Sequence, residues 1–477
     1  VRTMVNLLEE DPCLTFVRGE SLIYEHVERY DPETFTRMSR LIQEGRWDVV
    51  GGTYLQSDTN LPGTETMIRL FLRGQEYFYS RFGRRPAVAW FADSFGHSAG
   101  LPEIFTQCGI RAFAFSRPSA RIVPVDKPAF WWQGPGGARL LCYRSLSGAY
   151  CCNRTDVVNQ LDTVLEATAH QDLRNAAVFY GLGNHGGGST RRQIKEIQAW
   201  IQAHPEVEVV HSGLHKLFAA LFQEVQERGE DLLPTHRGEL NYCLRGCYVS
   251  MAKLKFPYRR MEADVARTET TETAISALVD RSPASLQTCW ADICFNAFHD
   301  ILTGSSTERA LNDQIAWLGR TQLETQRTQL DAMNALAAQI DTTVAEVPWD
   351  KPSAVPVLVW NPHPVPLREH VEIEVALDYR PLWEYRDRAD EVPLRVLSPD
   401  GKALPYQVVA KEGEMMSDLP WRQRLVVPGD LPALVCTLPE VEVVERDGRA
   451  RRLSPDGKGI VELETEAGQV LEFRARK

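Results

Sequence analysis

No apolar run among these 477 residues approaches the roughly 18 that a membrane-spanning helix needs, which leaves no transmembrane helix within the stretch. No leader with a basic start and a short apolar stretch opens it either, and the first residue is Val1 rather than Met. The 10 cysteines lack a pattern: Cys151 and Cys152 are adjacent, but there is no CxxC pair and no small-domain disulfide framework. Thiols kept reduced in a cytoplasm are the expectation. Positive charge is short as well, 53 Lys and Arg against 64 Asp and Glu for a net −11. That argues against nucleic acid or an anionic membrane as partner and favours a neutral or polar substrate. Composition leaves a homo-oligomer open.

The length exceeds what a single hydrophobic core usually spans, so more than one domain is expected. From Leu14 to Gln226, strand-like and helix-like stretches alternate. Strands are read at 14–17, 47–52, 87–92, 111–116, 176–180 and 207–211, with helices at 33–44, 67–82, 101–108, 155–170, 191–204 and 214–226. Such alternation implies a multidomain α/β protein whose first part is a parallel sheet, a (β/α) barrel of about seven strands, closed or nearly so. From Ser250 to Ile340 the strand signal vanishes in favour of about three helical stretches. Period-two alternation with Pro, Asp and Gly turns then runs to Lys477. The expected domains are a catalytic barrel at 1–249, a three-helix bundle at 250–341, a linker at 342–354 and a β-sandwich domain at 355–477 that stops short.

The chemistry concentrates where the strand AVAWFA ends in Asp93. Catalytic groups collect at the carboxyl ends of parallel strands, because the strand fixes the side chain while the loop beyond is free of packing duties. An Asp before a helix also serves as an N-cap, and that is the structural alternative. Arg117 follows the next strand in the same way, placed to orient Asp93 or to hold it ionised; a surface arginine is its alternative. Far downstream, Trp290, Ile293, Cys294, Ala297, Phe298 and Ile301 share one helical stripe. His299 falls opposite Trp290, outside that stripe, and with Asn296 it faces whatever lies against the polar side.

Three stretches together resemble the family-38 glycoside hydrolases, the class II α-mannosidases: QSDTNLPGTETMIR around Asp58, WFADSFGHSAGLPEIF around Asp93, and NAFHDILTGSSTERA around His299. Weaker similarity runs through GELNYCLRGCYVS and LVWNPHPVPLR, so most of the chain is covered, as a bacterial-type member. The resemblance implies that Asp93 is nucleophile and zinc ligand, that His299 is a second zinc ligand, and that Asp300 binds sugar hydroxyls; Arg117, read from its strand-end position, is the other candidate substrate-binding residue. It implies one Zn²⁺, a mannose-containing oligosaccharide as substrate, and retaining hydrolysis through a mannosyl-Asp intermediate. Such chemistry needs an attacking carboxylate and a proton donor about 5 Å away. Zinc with N and O ligands can hold adjacent hydroxyls and favour ring distortion. The family's remaining two ligands come from an H-x-D motif on the first barrel strand; none precedes Leu14, so the chain is expected to begin downstream of it. Relatives place an aspartate in a glycine-rich loop where this sequence has Asn184 and His185. His185 is the candidate acid/base, with a non-catalytic flexible loop as the alternative. Gln56 stands where a Glu is common.

Rival readings exist. Gly181, Gly183 and Gly186 satisfy G-x-G-x-x-G after a strand, but the next strand ends in His211 rather than in a ribose-binding acid. His211 and His215 have the i, i+4 spacing of two metal ligands, as a metal-dependent carbohydrate deacetylase would use. A non-catalytic carbohydrate-binding protein is the third reading.

Overall fold

The computed structural model describes residues 1–146, 150–152, 156–183, 187–344, 346–349, 353–377, 394–398, 401–412, 422–432, 436–437 and 440–442. The chain divides into two compact units, Val1–Ala263 with Gln287–Thr321, and Asp264–Leu286 with Gln322–Lys477. The first unit starts with α1 (Arg2–Glu10), β1 (Phe16–Arg18), α2 (Ser21–Tyr30), α3 (Pro32–Gln43), β2 (Trp47–Val49), α4 (Thr64–Phe82), β3 (Val88–Phe91), α5 (Leu101–Gln107) and β4 (Ala112–Phe115). It continues with β5 (Ala129–Gln133), β6 (Arg139–Arg144), α6 (Val157–His170), α7 (Arg191–Ala203), α8 (Leu214–Arg228), β7 (Thr235–Arg237) and α9 (Arg245–Val249). α10 (Ala252–Leu278) and α12 (Glu308–Ala337) each run from the first unit into the second, and α11 (Gln287–Asn296) lies in the first. No helix among the described residues is long and apolar enough to cross a membrane.

Local chemistry sets the helix ends. The Asp31 side chain accepts from Thr34 N ahead of α3, with Pro32 in the first turn, and Thr190 and Gln193 close a capping box on α7. Gly83 ends α4 in the left-handed conformation, φ 64°.

Among the described residues the ladders do not form a closed barrel of seven strands. β1 pairs with β2 in parallel, and a separate five-stranded sheet has the order β3-β4-β6-β5-β7. β5 and β6 are antiparallel because the Gly134–Gly137 turn folds the chain straight back, Gly134 N donating to Ala138 O at 3.0 Å and Gly137 sitting at φ 94°. The stretches 176–180 and 207–211, expected as strands, join no ladder among the described residues. Side chains take the place of a neighbouring strand along the first: Ala177 N donates to the Tyr143 hydroxyl at 2.8 Å, and Cys152 Sγ lies 3.3 Å from Phe179 O. β2 and β3 are joined by one backbone bond, Gly51 N to Val88 O at 2.8 Å.

In the second unit, β8 (Val355–Pro356), β9 (Val359–Trp360), β10 (Leu367–Ala376), β11 (Arg395–Leu397), β12 (Ala403–Leu404), β13 (Gln407–Glu412), β14 (Arg422–Leu431), β15 (Cys436–Thr437) and β16 (Glu440–Glu442) form three antiparallel sheets among the described residues. β10 and β14 pair from Leu367↔Leu431 to Ala376↔Arg422. Ile373, Val375, Leu425 and Val427 are buried on one face, while Glu372 pairs with Arg424 at 3.1 Å on the other.

One contact in the first unit sets the loop that follows β2. Leu70 O in α4 accepts from Tyr54 N at 2.8 Å, which brings the loop backbone against the helix at Gly74. A Cβ on Gly74 would lie 2.3 Å from Thr53 C and 2.6 Å from Gly52 O. Gly74→Ala gains about 1 kcal/mol of helix propensity, yet overpacking against backbone costs about 1–3 kcal/mol and should prevail. A lowered midpoint in thermal melts is the expected outcome; an unchanged or raised midpoint would show that the loop can retreat without cost.

Candidate active site

The register of β3 and β4 brings Asp93 and Arg117 together. Phe91 pairs with Phe115 on the last shared rung, so residues two positions further along each strand emerge side by side. Arg117 Nη1 lies 2.5 Å from Asp93 Oδ1 and 3.1 Å from Asp93 O. The guanidinium also lies over the Phe95 ring, 5.5 Å from its centroid. Ser116 Oγ donates to Ala92 O, and Ser94 Oγ to Ser57 O at 2.8 Å. Asp93 caps no helix, since α5 begins at Leu101 with Gly100 as its N-cap. Burial pushes the Asp93 pKa up, but His299 and the Arg117 charge outweigh it, and the net shift is downward. Tyr150 stands close enough to contribute to the same lowering, and the carboxylate in turn raises the pKa of the phenol.

His299 is not on a helix, which corrects the helical projection. α11 ends at Asn296, and the turn beyond it carries the ring inward to 1% exposure. There the turn meets the loop after β2. Ser57 and Phe298 form an antiparallel bridge, Asp58 N donates to Ala297 O at 2.8 Å, and His299 N donates to Gln56 O at 3.3 Å. His299 Nδ1 lies 2.8 Å from Gln56 O, and a carbonyl can only accept, so the proton sits on Nδ1. Nε2 then faces Asp93 Oδ2 at 3.5 Å and Asp300 Oδ2 at 3.8 Å. The Asp300 carboxylate is 46% exposed and accepts from Ser305 Oγ at 2.8 Å.

Gln56 works in two directions, its carbonyl to His299 and its side-chain Oε1 accepting Ala92 N at 3.2 Å, so an amide suffices at this position. Asp58 is buried, and burial raises its pKa despite bonds from Asn60 N, Leu61 N and the Tyr248 hydroxyl. His97, also buried, is hydrogen-bonded at Nδ1 to Thr59 Oγ1 at 2.9 Å and held neutral by burial, its pKa lowered to about 3. His185 and Asn184 lie outside the described residues. His211 and His215 do not converge: His211 Nδ1 bonds the Tyr180 hydroxyl, and His215 Nδ1 bonds Asp48 Oδ1 on β2. The glycine-rich stretch does not run straight into a helix either, because α7 begins at Arg191 behind its own capping box. Every cysteine whose side chain is described is a free thiol.

Sequence reasoning did not find Tyr150 or Tyr248. Neither belongs to a periodic pattern, and both act across long sequence distances; Tyr248 does lie within GELNYCLRGCYVS, but the weaker similarity there singled out no residue.

Among the described residues no group of three or more His, Cys, Asp or Glu side chains is arranged to hold a metal ion. The donors beside Asp93 nevertheless suit part of a divalent shell. Nε2 of His299 is buried with no hydrogen-bond partner among the described residues, and two carboxylate oxygens face it. Burial works against a charged imidazole, yet Asp93, the Gln56 carbonyl and Asp300 together outweigh it and the pKa of His299 is raised. A place that draws a proton onto Nε2 draws a cation as well.

Comparison with known proteins bears on the same residues. Residues 1–239 match the glycosyl hydrolases family 38 N-terminal domain, and residues 243–336 match the alpha mannosidase middle domain. The chain is 32% identical over 308 residues to alpha-mannosidase 2C1 of Homo sapiens, covering 64% of this chain and 29% of that protein. An alpha-mannosidase of Saccharomyces cerevisiae is 26% identical over 316 residues, covering 63% of this chain and 29% of its own length. The chain therefore spans under a third of these relatives. Its fold is similar to that of an alpha-mannosidase from Enterococcus faecalis V583, with a TM-score of 0.65 at 18% identity, covering 94% of this chain and 53% of that one. With the N-terminal domain of the family matched across residues 1–239, this chain belongs to glycosyl hydrolases family 38.

Proposed function

We propose that this chain carries the catalytic part of a retaining α-mannosidase that releases terminal α-mannose from oligosaccharides. The observation that supports it best is the meeting, within one unit, of an ionised strand-end carboxylate, an arginine on its neighbouring strand and a buried imidazole with a free nitrogen. The residues divide the work. Asp93, held ionised by Arg117, attacks the anomeric carbon as the bond to the leaving oxygen breaks, forming a glycosyl ester with the other product released. Water then attacks the same carbon, the ester C–O bond breaks, and Asp93 is restored. The proton given to the leaving oxygen and recovered from water is assigned to His185. Asp300, part-exposed at the rim, accepts bonds from sugar hydroxyls. Asp93 and His299 are proposed to hold one divalent ion, zinc by the family resemblance, with Asp300 beside them. When bound, such an ion would supply Lewis-acid positioning of two adjacent hydroxyls. The boundaries proposed are 1–249 for the catalytic domain, 250–341 for the helical domain and 355–477 for the β-domain. A cytoplasmic site is proposed, in keeping with the free thiols.

Asp93→Ala should lower kcat on a nitrophenyl α-mannoside by about 10³-fold or more, since a missing nucleophile removes the covalent step. Near-normal turnover would sink the assignment. His299→Ala should weaken Zn²⁺ or Co²⁺ binding by at least about 10-fold, the least that a change of a supporting residue costs at metal sites. Equal metal content in both proteins by elemental analysis would contradict it. Dialysis against a chelator should abolish hydrolysis, and added Zn²⁺ or Co²⁺ should restore it in the wild type but only partly in His299→Ala. Full activity in the stripped protein would remove the metal from the mechanism.

A further inference from the structure

One phenol ties the two motif loops together. The Tyr248 hydroxyl on α9 lies 2.8 Å from Asp58 Oδ2 and 3.2 Å from Phe95 O, and it receives a hydrogen bond from Asn60 Nδ2 at 2.9 Å. Asp58 and Asn60 belong to the loop that carries Gln56, and Phe95 stands two residues beyond Asp93. The other oxygen of Asp58, Oδ1, closes the turn of its loop by accepting Asn60 N at 2.9 Å and Leu61 N at 2.7 Å. That turn leads back to Gln56 O, which receives Nδ1–H of His299.

The segment bearing Tyr248 is itself fixed to the His299 turn. Lys255, 7% exposed, directs its ammonium to the carbonyls of Cys247, Ser250 and Thr303, the last at 3.3 Å. Thr303 Oγ1 in turn donates to His299 O. Two non-glycine residues with left-handed backbone, Leu244 at φ 52° and Met251 at φ 57°, bracket α9. Such conformations persist where surrounding contacts over-determine them, and they cluster at functional segments.

We propose that Tyr248 is a positioning residue for the reaction centre. Through Asp58 it sets the carbonyl of Gln56, and so the tautomer and aim of His299; through Phe95 it limits where the loop bearing Asp93 can move. The proposal rests on the reading of Asp93 and His299 given above. Its logic is that of an outer-shell partner: a hydrogen bond to the group that orients a ligand changes affinity and rate without touching substrate.

The test is Tyr248→Phe in the whole chain, with Asp58→Asn as a second variant that keeps the volume and one acceptor oxygen. Three quantities are read: amide hydrogen exchange over Asp58–Leu61, Co²⁺ affinity by competition with a chelator, and the split between kcat and KM. Faster exchange in that loop, Co²⁺ binding weaker by about 10-fold, and a lowered kcat at nearly constant KM are expected in both variants. A lower melting temperature with unchanged Co²⁺ affinity and unchanged loop exchange would mean a merely structural tyrosine and would overturn the proposal. Should the wild type itself neither bind Co²⁺ nor cleave α-mannosides, the functional reading falls, and loop exchange alone decides the clamp: unaltered exchange in Tyr248→Phe overturns it, faster exchange supports it.

Discussion

Much of the site depends on one carbonyl. Gln56 O receives both the backbone and the imidazole N–H of His299, a residue 243 positions away, and among the described residues no other hydrogen bond fixes which imidazole nitrogen is left free. A buried donor without its acceptor costs about 1–3 kcal/mol, so loop and turn are held to one another more firmly than their short bridge suggests. The same constraint explains why an amide suffices at Gln56. What the site uses is the backbone oxygen, and the side chain is spent on Ala92 N. A carboxylate there would add a further negative charge beside Asp93, which is already balanced by one arginine.

The strand register acts as the second ruler. Asp93 and Arg117 were legible in the sequence because each follows an apolar strand by a fixed step, and parallel pairing turns equal steps into adjacency. The ion pair thus follows from strand lengths as much as from charge. His299 was legible only as a motif. Projecting it along a continuous helix failed because α11 stops at Asn296, and the residues after it obey loop geometry, where helical angles carry no information. Asn296 itself, placed on a polar face by that projection, is fully buried and donates to Asp292 O.

What stayed hidden has a common physical cause. Strand composition reports apolar character, and 176–180 are only partly buried, while a ladder needs a neighbour with free backbone groups. Tyr143 and Cys152 occupy groups there instead, so a barrel counted from apolar runs overestimates the paired strands. The antiparallel turn at Gly134–Gly137 defeats a count based on strict alternation for the same reason: it reverses one strand inside an otherwise βα text. Tyr150 and Tyr248 are single aromatic residues whose partners lie far off in the chain. Their roles arise from tertiary contact alone.

The charges at the site are unequally matched, and that imbalance has a chemical direction. Asp58 is hydrogen-bonded by two N–H groups and a phenol, Asp93 meets the Arg117 charge, and Asp300 is met by a serine hydroxyl. The residual potential around Nε2 of His299 is therefore negative in a place that water reaches poorly, where charge interactions are strong. On the proposed reading this suits an oxocarbenium-like transition state, whose positive charge appears where carboxylates already point and needs little reorganisation. Arg117 works against the same end if it binds too much of Asp93, because a fully paired carboxylate is a poor nucleophile. The arginine meets Asp93 at Oδ1, which keeps the carboxylate ionised, while Oδ2 is the oxygen that faces His299, at 3.5 Å.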